Sequence, residues 1–335
     1  MRVAVVGAGR MGGRHAELLS AMDSVDGLYI IDADASRAAE VAHRTGGQAV
    51  TFGEAVAAAE ALIIATPPEL HRGEVETALD AGRHVLCEKP LTDSLESTIA
   101  LTRRVEEMGA HLEVGFQRRH DPGFVSAREA AGGRLHLVRL TAHDPLVRPV
   151  PAPFRPAPEA APIFRDSSIH DFDMVRWLSG QEVTEVSVEA GRRDGSRPAD
   201  PLEIESAVVS MRLSGGTLAV LEASWLHPAG YDTRIELVSE AAALTAGLSP
   251  RTPARHLDWS SAAEPWAGYL ERFDAAYRAE LEAFLACCRG ARPPVSTARD
   301  GLEAMRIAVA ATRAHVLGRR VGMDEIAGLA KVSVA

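Results

Sequence analysis

Lysine is almost missing from this chain. Its 36 basic residues include only Lys89 and Lys331 as lysines, and the other thirty-four are arginine. Cysteine is also scarce. The three present, Cys87, Cys287 and Cys288, are odd in number and two are adjacent, which is neither a disulfide framework nor a metal-ligand spacing. They read as reduced, buried thiols in a cytoplasmic protein. No apolar run reaches the ~18 residues of a membrane span; the longest, from Ala55 to Ala65, is broken by Glu60. No signal peptide stands ahead of the strand-like run Arg2–Val6, so a cytoplasmic location is expected. The net charge is −10 with the signs interspersed, so no basic stripe exists to neutralise phosphates and nucleic acid is not an expected partner. There is no internal repeat. At 335 residues, 46% of them hydrophobic, the chain suffices for two domains or one large one.

The rarity of lysine draws attention to Lys89. It follows an apolar run in Cys87-Glu88-Lys89-Pro90, at the end of an expected strand. Arginine is a planar fork that keeps its proton, whereas lysine is a compact charge whose pKa moves on burial. A site needing a point-like or titratable cation requires lysine. A surface lysine is the plainer reading of this residue taken alone.

The N-terminus supplies context. Val3–Val6 is a short continuous apolar run, as in a strand buried on both faces. It leads into Gly7-Ala8-Gly9-Arg10-Met11-Gly12, followed by a helical spacing of apolar residues at Met11, Leu18, Leu19 and Met22. In such a strand–turn–helix, Gly7 permits the tight turn, Gly9 lets a pyrophosphate approach the backbone and Gly12 lets helix and strand pack. The free amides of the helix start then face phosphate. The next strand ends in Asp32, twenty residues beyond Gly12, where a carboxylate accepts ribose hydroxyls and repels a 2′-phosphate; this favours NAD over NADP. Asp32 can also cap the following helix, but Asp34 can do that instead and leave Asp32 free. Further strands are expected at Gln48–Phe52, Ala61–Thr66, His84–Cys87 and His111–Phe116, with helices over Glu69–Ala81 and Ser94–Met108. This alternation means a doubly wound parallel sheet, with ligands at the carboxyl ends of its strands, where Thr66 and Lys89 fall.

Several segments, in order along nearly the whole chain, resemble the glucose–fructose oxidoreductase, inositol dehydrogenase and MocA-like (Gfo/Idh/MocA) family. They are Gly7–Gly12, Ala65-Thr66-Pro67, Ala81–Pro90, Gly115–Arg119, Asp166–Asp173 and Arg272–Leu281. The nearest likeness is to inositol 2-dehydrogenases. The resemblance implies an α/β fold with a Rossmann domain over 1–119. An α+β domain on a large, mostly antiparallel sheet would follow over 120–335, its open face making homodimers or homotetramers. It implies cofactor contacts from the glycine turn (Gly7, Gly9, Arg10, Met11, Gly12), from Asp32, and from Thr66, Pro67, His71, Glu88 and Lys89. It also implies a catalytic set of Lys89, Asp166 and His170, with no metal.

Read on its own, the second half has a helix over Asp121–Ala131, a strand at Leu135–Thr141 and a proline-rich loop over 144–165, taken here as a pocket wall. A helix over Asp166–Ser179 would place Asp166 and His170 on one face, one turn apart. By the residues alone Asp166 can be an N-cap and His170 an ordinary helix histidine. A metal at His170, Asp171 and Asp173 is disfavoured, because no second histidine has helical ligand spacing. Strand-like runs then recur to Leu244, followed by helices over Glu271–Cys288 and Ala298–Leu317.

The chemistry implied is hydride transfer between a secondary alcohol of a ring polyol and nicotinamide. A base must take the alcohol proton; His170, of a residue type with an unperturbed pKa of ~6.5, suits this. Lys89 would donate to the same oxygen, and Asp166 would bond a neighbouring hydroxyl or orient His170. Asp144, Trp225, His227 and Tyr231 are the expected substrate-wall residues. Departures from the family pattern gather there: His143-Asp144 and Trp225-Leu226-His227 replace segments that often carry arginine, and Ala161-Pro162 stands for a Gly-Gly pair. An amino-cyclitol, an aldose or a sugar nucleotide therefore stays open as substrate; Arg148 and Arg155 could serve the last. A non-enzymatic dinucleotide sensor is the reading from another class.

Overall fold

The computed structural model describes residues 1–145, 159–192, 203–228, 230–247 and 266–332. Most of the proline-rich loop, with Arg148 and Arg155, and the side chain of Lys331 lie outside the described residues. The chain forms two compact units. The first comprises 1–117 and 277–302, the second 118–276 and 303–335. The expected division at 119/120 lies close to the first crossing. The first unit, however, also takes in 277–302, which a single boundary cannot represent.

In the first unit six strands pair in parallel in the order β3-β2-β1-β4-β5-β6. They are β1 (Arg2–Val6), β2 (Gly27–Ile31), β3 (Gln48–Ala49), β4 (Ala61–Ile64), β5 (His84–Cys87) and β6 (Leu112–Val114). β1 from Val3 on, and the whole of β4, are apolar because both of their faces are covered; every residue of β4 is fully buried. The crossover helices are α1 (Arg10–Ser20), α2 (Ala35–Thr45), α3 (Phe52–Ala58), α4 (Pro68–Asp80) and α5 (Leu95–Met108). β3 stops at Ala49, short of the expected Phe52. Thr51 begins α3 instead: its hydroxyl accepts from the Glu54 amide while Glu54 reaches back to the Thr51 amide, a reciprocal cap. The 277–302 segment is tied to the same unit: the Ser296 hydroxyl donates to the Val114 carbonyl at 2.6 Å, and the Thr102 hydroxyl donates to that of Ala298.

The second unit holds a seven-stranded sheet in the order β12-β11-β7-β10-β9-β8-β13. Its strands are β7 (Leu135–Pro145), β8 (Val183–Gly191), β9 (Ser206–Leu213), β10 (Leu218–His227), β11 (Asp232–Ser239), β12 (Ala243–Ala246) and β13 (Val321–Gly322). All neighbours are antiparallel except β7 and β10. Along β9, exposed and buried residues alternate strictly, so the sheet has one core face and one open face. α6 (Pro122–Ala131) starts on Asp121, whose side chain accepts from the Phe124 amide.

The expected helix over Asp166–Ser179 divides. Ile163–Ser167 forms one wide turn, closed by the Ser168 amide on the Ile163 carbonyl at 2.9 Å, and α7 (Ile169–Ser179) follows. The helix expected from Glu271 also breaks, into α8 (Tyr269–Arg272) and α9 (Asp274–Cys288), around the fully buried Phe273. α10 (Ala298–Leu317) has the expected bounds, and α11 (Met323–Val332) ends the described chain.

Candidate active site

The turn after β1 is built by close backbone packing. Gly7 has φ +91°, and a Cβ there would lie 2.7 Å from the Ala65 carbonyl oxygen. A Cβ on Gly12 would lie 1.7 Å from the Gly7 carbonyl oxygen, so only glycine lets α1 approach the turn. Gly9 is different: it is the N-cap of α1 with no side-chain cap, and a Cβ there meets nothing within 4 Å. Helix-start amides beside open space are what a pyrophosphate needs. These residues fit a dinucleotide: the start of α1 would hold the phosphates, and NAD, when bound, would supply the hydride acceptor.

Asp34 caps α2 as expected, accepting from the Ser36 and Arg37 amides. That does not leave Asp32 free, and the expectation needs correction. The Asp32 carboxylate accepts from the Ala8 amide at 2.7 Å and the Asp34 amide at 2.8 Å, and the Arg37 guanidinium lies 3.2 Å and 3.3 Å from its two oxygens. Arg37 thus already occupies one side of the Asp32 carboxylate. Since Arg37 is half exposed, that ion pair contributes only ~0–1 kcal/mol.

Around the carboxyl ends of β4 and β5, two expected cofactor residues, His71 and Glu88, are buried and hydrogen-bonded within the unit. His71 is buried, with Nε2 2.7 Å from the Thr66 carbonyl and Nδ1 3.1 Å from that of Pro90. Burial lowers its pKa, so the ring is neutral and donates to one carbonyl at a time. The Lys89–Pro90 peptide is cis. Glu88 is buried too, its carboxylate 2.7 Å from His15 Nε2 and accepting from the Lys89 amide. Burial alone would raise its pKa, but the hydrogen bond from His15 and the charges of His15 and Lys89 prevail and hold it below the usual range. Lys89 therefore stands on a loop fixed at both neighbours, by Glu88 and by His71 through Pro90. The Thr66 hydroxyl donates to Glu74 at 2.5 Å.

In the second unit Asp166 lies in the wide turn ahead of α7, so it is not the helix N-cap; Ser168 has that position. Its carboxylate accepts from the Arg165 guanidinium at 3.1 Å. His170 follows in the first turn of α7 and is 8% exposed. Asp171 and Asp173, the other acids of this segment, are buried because each meets an arginine: Arg118 donates to Asp171 at 2.5 Å and Arg119 to Asp173. Complete burial pushes the Asp171 carboxyl up to about 6 against the pull of Arg118. Burial opposes the Arg118 charge as well, but Asp171 and Tyr231 outweigh it and raise its pKa. Above pH ~6 the two therefore form an ion pair.

The expected substrate-wall residues are brought together in part. The Trp225 indole donates to the Ser167 hydroxyl at 2.7 Å, and Ser167 donates to Asp144 at 3.2 Å. Burial raises the pKa of Tyr231 as it does that of Asp171, and Asp144 is close enough to both to add to the rise. Tyr231 is buried against Tyr269 and Phe273. His227 stacks on His143 with ring centroids 4.6 Å apart, and burial followed by this neighbour lowers the pKa of His143. Sequence reasoning misses Ser167, the link between Trp225 and Asp144. It also misses Arg37, although a basic residue one turn after a strand-end acid is a visible signal.

Residues 1–116 match the oxidoreductase family described as an NAD-binding Rossmann fold, and residues 133–323 match its C-terminal alpha/beta domain. A myo-inositol dehydrogenase of Streptomyces leeuwenhoekii is 38% identical over 95% of this chain and 98% of its own length. An inositol 2-dehydrogenase of Rhizobium meliloti is 30% identical over 96% and 99%. The crystal structure of a myo-inositol dehydrogenase from Corynebacterium glutamicum superposes with a TM-score of 0.83 at 28% identity, covering 96% of this chain and 98% of that one.

Proposed function

The chain belongs to the Gfo/Idh/MocA oxidoreductase family, and we propose that it is an NAD-dependent dehydrogenase of an inositol-like cyclitol. In this reading it moves a hydride between a ring secondary alcohol and nicotinamide. The observation that carries the reading is the 38% identity to a myo-inositol dehydrogenase along 95% of the chain. In the oxidising direction His170 takes the alcohol proton. Lys89 donates to the same oxygen and stabilises the negative charge that grows there. Asp166 bonds a neighbouring hydroxyl or orients His170. The helix start at Gly9–Gly12 holds the pyrophosphate and Asp32 the ribose. Asp144, Trp225, His227 and Tyr231 form the substrate wall, with Trp225 oriented through Ser167. The indole N–H is already bonded there, so Trp225 offers the substrate its ring face rather than a donor.

The test is nicotinamide reduction against myo-inositol, its stereoisomers, glucose and amino-cyclitols, each with NAD⁺ and NADP⁺. Turnover with an inositol and a preference for NAD⁺ is expected. Faster turnover with NADP⁺ would overturn the role of Asp32 and point to Arg37 as a 2′-phosphate partner. Turnover only with amino-cyclitols or sugars would make the Trp225 and His143 segments the specificity determinants.

A cytoplasmic homodimer or homotetramer completes the reading. It is supported by the open face of the seven-stranded sheet, where Val208 and Leu218 are 49% and 45% exposed. No helix among the described residues is long and apolar enough to cross a membrane. Cell fractionation should leave the protein in the soluble fraction, and sedimentation should give two or four times the 35.7 kDa chain mass. A single-chain mass would remove the oligomer.

A further inference from the structure

At the amino ends of β5 and β6, opposite the ends where Lys89 lies, a second group of chemically active side chains comes together. Val85 pairs with Leu112, so the preceding residues His84 and His111 stand side by side, with their Nδ1 atoms 3.0 Å apart. Cys288, the last residue of α9, brings its sulfur within 4.8 Å of a ring nitrogen of each. The other ring nitrogen of His111, Nε2, lies 3.2 Å from a carboxylate oxygen of Glu113, which is 1% exposed, and 3.1 Å from the sulfur of Cys287. All five residues belong to the first unit. His84, His111 and Cys288 are half-buried, so an ion can reach them from solvent.

We propose that His84 Nδ1, His111 Nδ1 and Cys288 Sγ bind one divalent ion of the zinc class, with Glu113 fixing the ring of His111. Two imidazoles and a thiol suit borderline-soft ions such as zinc rather than magnesium or calcium, which take oxygen ligands. Histidine ligands of such ions commonly donate their second N–H to a carboxylate. Glu113 receives it here, which leaves the His111 Nδ1 lone pair on the side of His84 Nδ1. Cys288 is a free thiol. Binding therefore forms the metal–sulfur bond as the thiol proton leaves to solvent, and the His84 proton moves to Nε2. Water takes the fourth position. The ion joins two strand starts to the end of α9, across about two hundred residues of chain (288 − 84 = 204).

The test uses the full chain, stripped with a chelator and titrated with Co²⁺. One Co²⁺ per chain is expected, giving thiolate-to-cobalt charge-transfer absorption that Zn²⁺ abolishes by displacement. The band should vanish in Cys288→Ser and His84→Ala, persist in Cys287→Ser, and appear with roughly 10–100-fold weaker affinity in Glu113→Gln. Dehydrogenase turnover of each variant, unchanged from the parent, checks that it is folded. The wild-type titration decides if a variant is not. Absence of the charge-transfer band in the parent chain overturns the site. A band that survives Cys288→Ser and disappears in Cys287→Ser overturns this ligand set.

Discussion

Replacement of His170 by alanine should cut kcat by about 10²–10⁴-fold while the affinity for NADH stays within a few-fold. The magnitude follows from the chemistry. A secondary alcohol is a very weak acid, and without a positioned base its proton must leave to water as the hydride departs. His170 stands in the first turn of α7, behind a wide turn that holds Asp166. The rest of α7 is anchored by two buried arginine–carboxylate pairs, Arg118–Asp171 and Arg119–Asp173. The imidazole is thus carried on a rigid element, and truncating it removes a base without removing the anchor. Stopped-flow turnover with NADH fluorescence on the same samples separates the two quantities. Retention of kcat within a few-fold would sink the assignment of His170 as the base. Loss of NADH binding in step with kcat would indicate a damaged fold.

The second large effect concerns two glycines of one turn, for which the same substitution should act in opposite ways. Gly12→Ala places a methyl carbon 1.7 Å from the Gly7 carbonyl oxygen and 2.9 Å from its carbon, both rigid backbone. Nothing there can rotate away, so α1 must part from β1. The expected cost is on the order of 4–5 kcal/mol or more, comparable with the whole stability of many domains. Gly9→Ala meets nothing within 4 Å, and Gly9 has φ −70°, which alanine adopts freely. It should leave the melting temperature nearly unchanged and weaken NAD binding, because the methyl group occupies the space a pyrophosphate would enter. Thermal melts and NADH titration of the two variants check this. A Gly12→Ala protein that melts with the parent would contradict the packing of the turn.

Much of the fold is legible in the sequence because its signals are local. The apolar run into Gly7–Gly12 and the acid at Asp32 each report on a few consecutive residues, and the parallel sheet follows from their alternation with helices. Capping is also local, yet the strand expected to Phe52 ends early because Thr51 and Glu54 form a reciprocal cap that competes with the extended backbone. Partners are harder to see. Asp34 can cap α2, which makes Asp32 look free, and Arg37 reaches Asp32 only once the helix is formed. The wide turn at Ile163–Ser167 has no composition of its own. Ser167 gains meaning only when β10 brings Trp225 beside it. His84, His111 and Cys288 show no ligand spacing because the sheet and α9 assemble them from three distant places.

The first unit also bears on how the chain is made. Its sheet is complete at Val114, but the Ser296 hydroxyl that caps the Val114 carbonyl, and the backbone at Gly301 that packs on Leu91, come from the segment ending at residue 302. A ribosome adding ~5–20 residues per second takes roughly 8–32 s to travel the 160 residues from 117 to 277. Throughout that interval the nascent dinucleotide unit has a carbonyl and an apolar flank uncovered. A chain cut at residue 117 lacks both contacts for good, so the dinucleotide unit excised there should be less stable than the same unit in the full chain.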